Sequence, residues 1–250
     1  MVTRFMPVAA VLLFCLGGCV TAPTTTQTSS DFKRPETGYK LVVMKPDIAV
    51  SLLTAGGQLE QREDWTTTAR EHVLGSLRAQ QAKRGGNASI TMTSGDDPGL
   101  IELNRLHEVV GQSILLHKYT PYAALPTKAT SFDWTLGKTA KDFGASAGYD
   151  YALFLYARDS FSSGGRQALQ AIGALGCIVG VCVIPNGGVQ QAFASLVDLK
   201  TGNVVWFNHL ISMAGDIRTR PGADDLVNRL LEPMTADPNA KKARSKTKKT

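Results

Sequence analysis

Four cysteines and four histidines are the residues through which this chain could most readily do chemistry. Cys177 and Cys182 stand in a C-x4-C spacing, which suits a disulfide in an oxidising compartment or a pair of buried thiols. A zinc or redox site would need a second pair, or C-x-x-C, and the chain offers neither. His72, His107, His117 and His209 form no metal-binding spacing. His107-Glu108 begins an H-E-x-x-H pattern, but position 111 is Gly. No G-x-S-x-G elbow surrounds any serine, and the pairs Gly164-Gly165 and Gly187-Gly188 lack the lysine of a phosphate loop, so they read as hinges. Glu60, Glu63 and Asp64 precede a helical stretch, where carboxylates usually serve as caps and dipole partners. The expectation is therefore no enzyme, no metal and no cofactor.

The remaining cysteines lie at the N-terminus. Arg4 is followed by an uncharged apolar run, Val8 to Leu16, and then by Leu16-Gly17-Gly18-Cys19. That is the three-part layout of an export signal. The apolar run is too short for a bilayer core, which takes roughly 20 apolar residues. The quartet ending at Cys19 resembles the lipobox of bacterial lipoproteins. The resemblance implies removal of residues 1–18, diacylglycerol on the Cys19 thiol and acylation of the new amine, a stable anchor because several chains act together. Val20 rather than Asp follows, which within that class implies the outer membrane, facing the periplasm. Residues 19–38, with the Thr- and Ser-rich stretch Thr21 to Ser30, read as a flexible solvated tether.

A formal net charge of +6 suggests nucleic acid until it is located. Six of the 27 basic residues fall in the last ten positions, and Arg4 leaves with the leader, so 20 remain against 21 acidic residues. The body is close to neutral and no nucleic-acid partner is expected. The basic tail, residues 237–250, reads as a solvated end able at most to touch an anionic polymer weakly, by charge.

Between tether and tail, residues 39–236 read as one α/β domain. Tyr39 to Val50 reads as a strand, broken or edged at Pro46. A helix capped by Asp64 follows, with Ala69, Val73, Leu74 and Leu77 inward. After a short strand, Ala88 to Thr93, and a turn at Asp96 to Gly99, a longer helix spans Leu100 to Lys118. Its expected buried stripe runs through Ile101, Leu103, Leu106, Val109, Val110, Ile114 and Leu115. A third helix ends near Gly148. Tyr149 to Phe161 is the clearest strand, with Tyr151, Leu153 and Leu155 on one face and Ala152, Phe154 and Tyr156 on the other. Val189 to Leu199 and Val204 to Ser212 form a hairpin across Lys200-Thr201-Gly202-Asn203, and a last helix runs from about Ala223 to Met234. This order makes a mixed sheet with helices packed on it and a C-terminal β-hairpin.

Residues 162–188 interrupt that frame, and Ala168 to Ile184 is apolar apart from Gln170. Gly173, Gly176 and Gly180 give spacing for close approach on a helix face. Three readings stay open: a segment buried in the monomer, an exposed patch contacting the outer membrane or a partner, and a membrane span.

The run Ala194 to Trp206 combines an apolar strand with Asp198, then Thr201-Gly202, then two apolar residues and Trp206. Asp198 can bond turn amides, Gly202 can take positive φ, and Trp206 covers the sheet. This hairpin resembles the curli-assembly (CsgG-type) lipoproteins and their relatives, the penicillin-binding-protein activator lipoproteins and the N-terminal domain of TolB. The resemblance implies a non-enzymatic lipid-anchored assembly or accessory factor working by protein contact with an envelope protein. The alternative is a subunit of an oligomeric outer-membrane secretion or export complex, in which the chain would self-associate. The hairpin and the apolar insertion are the expected contact surfaces.

Overall fold

The computed structural model describes residues 25–30, 32, 38–83, 88–93, 97–178 and 180–235. The leader 1–18, Cys19 and the basic tail 237–250 lie outside the described residues. Among the described residues, eight strands form one mixed sheet, and the fold is α/β. The strands are β1 (Thr25–Thr28), β2 (Tyr39–Val43), β3 (Asp47–Leu53), β4 (Leu59–Gln61), β5 (Ala88–Met92), β6 (Tyr151–Ser162), β7 (Gln190–Asp198) and β8 (Val204–Ser212). The helices are α1 (Glu63–Lys83), α2 (Pro98–Tyr119), α3 (Gly137–Ala147), α4 (Gly164–Ile178) and α5 (Arg220–Thr235).

The long strand β6 organises the sheet. Antiparallel β7, β8 and β1 extend from one side of it. On the other side, parallel β2 lies along its first part and parallel β3 along its second, with β5 beyond β2. The single strand expected over residues 39–50 is thus two strands. Pro46, which has no N–H to give, sits in the break between them. Alternation along β6 feeds two cores. Leu153 and Leu155 meet Ala69, Val73 and Leu77 of α1 and Leu226 and Leu230 of α5. Ala152, Phe154 and Tyr156 face Leu103 and Ile114 of α2 and Ala140 of α3. Helices therefore cover both faces.

Several expectations need correction. Part of the stretch read as tether is strand β1, paired with β8 from Thr25 opposite His209 to Thr28 opposite Trp206. β-Branched threonines suit an edge strand, and the open edge of β8 satisfies their backbone. Phe32 packs edge-on against Tyr151, so this segment too is fastened to the body. Asp64 is not a cap, since α1 already begins at Glu63; it pairs with Arg62 at 3.0 Å. Asp97 does the capping instead, accepting from the amides of Gly99 and Leu100 at the start of α2, with Pro98 in the first turn. On α2, Ile101 and Val109 are exposed, and the buried line is Leu103, His107, Gly111 and Ile114. Gly111 belongs there because a Cβ would collide with the Phe193 ring. The β7–β8 strands, expected as a contact surface, lie inside the sheet, and eight of the nine β8 residues are buried, which leaves the turn between them as the exposed part.

Candidate functional site

One end of the sheet gathers the ends of β3, β6 and β8 and the beginning of β7, as the pairing registers require. From this end an arm leaves the fold. It comprises α4 and a return segment, residues 180–188, which carries the chain back to β7. No residue of α4 is buried. Ile172, Leu175, Ile178, Val181 and Val183 are 64–81 % exposed. The reading of this segment as buried in the monomer is therefore overturned. No helix among the described residues is long and apolar enough to cross a membrane.

The arm holds its shape through its own contacts. A Cβ on Gly173 would strike the carbonyl of Val183, and one on Gly176 that of Val181, so glycine lets the return segment lie directly on the helix. Cys177 and Cys182 form a disulfide across the tip. Gln170 Nε2 donates to the Pro185 carbonyl at 3.1 Å, midway along. At the root, Arg166 donates from Nε to the Asn186 carbonyl at 2.9 Å and from a terminal nitrogen to that of Ala55 at 3.3 Å. Ser160 Oγ both donates to the Val189 carbonyl and accepts from its amide, at 3.1 and 2.9 Å. A Cβ on Gly188 would strike the Ser160 carbonyl, so the return to the sheet also depends on a glycine.

Beside the root lies a recess of about 120 Å³ lined by Asp159, Ser160, Gln190, Ser212, Met213 and Gly215. Its floor is the buried carboxyl of Asp159. Burial raises that group to about pH 6, against bonds from Gln190 Nε2 at 3.1 Å and the Ile217 amide at 3.5 Å. Nearby, the guanidinium of Arg218 lies 3.5 Å from the ring centre of Phe161 and 4.4 Å from that of Trp65. It also pairs with Asp216 at 2.8 Å, which holds that carboxyl below its ordinary range. This clamp ties the turn after β8 to the start of α1 and the end of β6.

The residues singled out in the hairpin lie at the opposite end of the sheet. Asp198 Oδ1 accepts from the amides of Lys200 and Thr201 at 2.8 and 3.3 Å. Gly202 takes φ 77°, and its carbonyl accepts from Leu136 N and Thr135 Oγ1, fastening the turn to the start of α3. Trp206 is buried in the core beneath α1 and α5. The motif is an architectural joint.

The histidines do not converge, and no group of metal ligands occurs among the described residues. His107 Nε2 lies 2.9 Å from Ser195 Oγ, a pair of the kind that begins nucleophilic catalysis. The two residues are 88 positions apart, so no local motif could reveal them. They are 2 % and 1 % exposed, with the imidazole stacked on Phe154 at 4.5 Å, and no substrate can reach them. Burial pushes His107 down to about 3, so it is a neutral core residue at neutral pH.

No family model matches this chain, and no curated protein does. Among solved structures it is distantly similar to a PelC dodecamer from Paraburkholderia phytofirmans, with 14% identity, a TM-score of 0.40 and coverage of 86% of this chain and 99% of that one. It is also distantly similar to the LpoB C-terminal domain from Salmonella enterica, with 15% identity, a TM-score of 0.27 and coverage of 71% and 85%.

Proposed function

We propose that this chain is a non-enzymatic lipoprotein, held by acyl chains on Cys19 at the periplasmic face of the outer membrane. It serves there as an accessory or assembly factor, through contacts with other envelope components. The observation that carries the contact role is the arm. A water-soluble domain ordinarily buries such side chains, since each one buried stabilises by about 1.5–3 kcal/mol. Here a disulfide-closed apolar element is held clear of the fold. A patch of this kind marks an interaction surface.

Two measurements test the two halves. Cys19→Ser is expected to leave uncleaved precursor in the inner membrane, seen as a mobility shift and loss of acyl labelling. A normally processed, unmodified protein would end the anchor reading. Crosslinking in intact envelopes with a photoreactive residue at position 175 should trap an envelope component, protein or lipid, absent when the residue is placed at buried position 193. Equal, diffuse labelling from both positions would end the contact reading.

A further inference from the structure

The arm has a definite occupant. We infer that it is a second membrane contact: α4 and its return segment settle into the boundary between headgroups and acyl chains of the leaflet that carries the lipids on Cys19. The inference rests on the anchored reading for the identity of that leaflet, and the arm itself for the contact.

Chemistry comes first. From Gln167 to Val197 the chain contains no Asp, Glu, Lys or Arg. The exposed part of that stretch is the arm. A surface meant for a water-soluble protein partner carries a polar rim. This one is apolar around most of α4, with Leu169, Ile172, Leu175 and Ile178 all exposed, and again along Val181, Val183 and Ile184. The first charge met on the way back to the body is Arg166, at the root. At 1.5 Å per residue a helix of 15 residues is roughly 22 Å long, too short to cross a hydrocarbon core of about 30 Å. An apolar element of that length, turned back on itself at its tip, is too short for a crossing and can enter only the near boundary of the bilayer.

Direction comes second. β8 runs toward the end of the sheet that bears the arm, and β1 is antiparallel to it. Followed backwards, the chain therefore heads for the arm end as it reaches Thr25, opposite His209 and three residues short of the end of β8. Cys19 stands six positions before Thr25. Six residues span at most about 20 Å even when fully extended. Thr25 lies about 10 Å from the end from which the arm projects, three residues along β8, so the acyl chains can reach a leaflet on which that end rests. Met213, 86 % exposed, adds a further apolar side chain at that end. Anchor and arm together hold the sheet with its arm end to the membrane and the Asp198 turn away from it.

The test places an indole on the arm of the full chain. Ile178→Trp and, separately, Leu175→Trp are purified from an outer-membrane-bearing host. They are reconstituted into phosphatidylethanolamine–phosphatidylglycerol vesicles with plain or brominated acyl chains. Bromine should roughly halve the added emission of both variants, as expected for an apolar face about 5–10 Å deep. It should leave the emission that Lys200→Trp, at the far turn, adds to that of the parent chain unchanged. Equal emission of the arm variants in the two vesicles overturns the inference. So does a blue shift that follows protein concentration and ignores bromine, which would mean pairing with a second copy. The mass of the mature N-terminus in the same samples separates the two readings. An acylated Cys19 without quenching sinks the arm alone, whereas quenching with a bare N-terminus sinks the anchor and leaves the arm contact standing.

Discussion

The arm and the β7–β8 hairpin follow one another in the chain and are both rich in apolar residues, yet they meet opposite fates. β8 exposes one residue of nine, Ile211, while α4 buries none of fifteen. The difference is not in hydrophobicity but in what lies above each segment. β7 and β8 present alternate residues to two faces, and each face has its own helices. Ala194 and Leu210 go to the core under α1 and α5, and Phe193 and Phe207 to the core under α2 and α3. The arm leaves the sheet at its end, beyond the reach of either helical layer, and past its root, where Arg166 reaches the Ala55 carbonyl, it is closed by its own backbone and disulfide. Apolar composition alone therefore does not decide burial; a covering partner does.

The largest effect should come from the covered region. Phe193 is fully buried, stacked between Tyr156 at 4.5 Å and Phe207 at 5.5 Å. Phe193→Ala should cost about 3–5 kcal/mol in urea unfolding. A loss under about 1 kcal/mol would mean that this core is as loosely covered as the arm.

Next comes the joint at the far end of the hairpin. Gly202 combines φ 77° with a site where a Cβ would strike the Gly137 carbonyl. Gly202→Ala should cost about 2 kcal/mol, from backbone strain and displacement of α3. Gly180, at φ 86° on the arm, has open space where its Cβ would point, so Gly180→Ala should cost less. Equal losses would erase the distinction between joint and arm.

Two buried titratable groups sharpen the comparison through pH. His107, in the core under α2, is held down at about 3, while Asp159, beside the arm root, is raised to about 6. Between about pH 4 and 6 the unfolded chain carries the His107 proton and the folded chain does not, so this group makes stability rise with pH. For Asp159 the folded chain carries the proton that the unfolded chain has lost. Its contribution is therefore greatest below about pH 4, falls across the same window, and settles at a constant penalty above about pH 6. The two slopes oppose one another in the parent chain, where His209, also held below its ordinary range by burial, adds to the rising one. Asp159→Asn should unmask the rising slope, and the unfolding free energy from urea titrations should then climb with pH by about 1.4 kcal/mol per pH unit. A curve no steeper than the parent's would show that Asp159 is not protonated in the fold.

How far the sequence discloses this molecule follows the same division. The alternation in Tyr151 to Tyr156 assigns both faces of β6 correctly, because a strand between two cores keeps period two. Thr201-Gly202 marks its turn because only glycine is at ease at that φ. Apolar periodicity could not place Ala168 to Ile184, since a short apolar run reads alike whether covered or bare. Nor could composition distinguish the paired threonines of β1 from a solvated spacer, because edge pairing depends on an open neighbour distant in sequence. Asp159 and the Arg218 clamp gave no signal for a related reason. Their environments come from Gln190, Ile217, Trp65 and Phe161, which only the fold brings together.

The smallest effect is the most telling. Ile178 is 81 % exposed at the arm tip, so Ile178→Asn removes almost no buried area and should shift urea stability by less than about 0.5 kcal/mol. Because the same change puts a carboxamide at the arm tip, crosslinking from position 175 in intact envelopes should fall below that of the parent arm. Placed against Phe193→Ala, it separates two uses of an apolar side chain within one domain: one that holds the sheet to its helices, and one that the fold leaves available. A loss at position 178 comparable to that at 193 would mean that the arm folds back and packs on the body, and the contrast between the two regions would vanish.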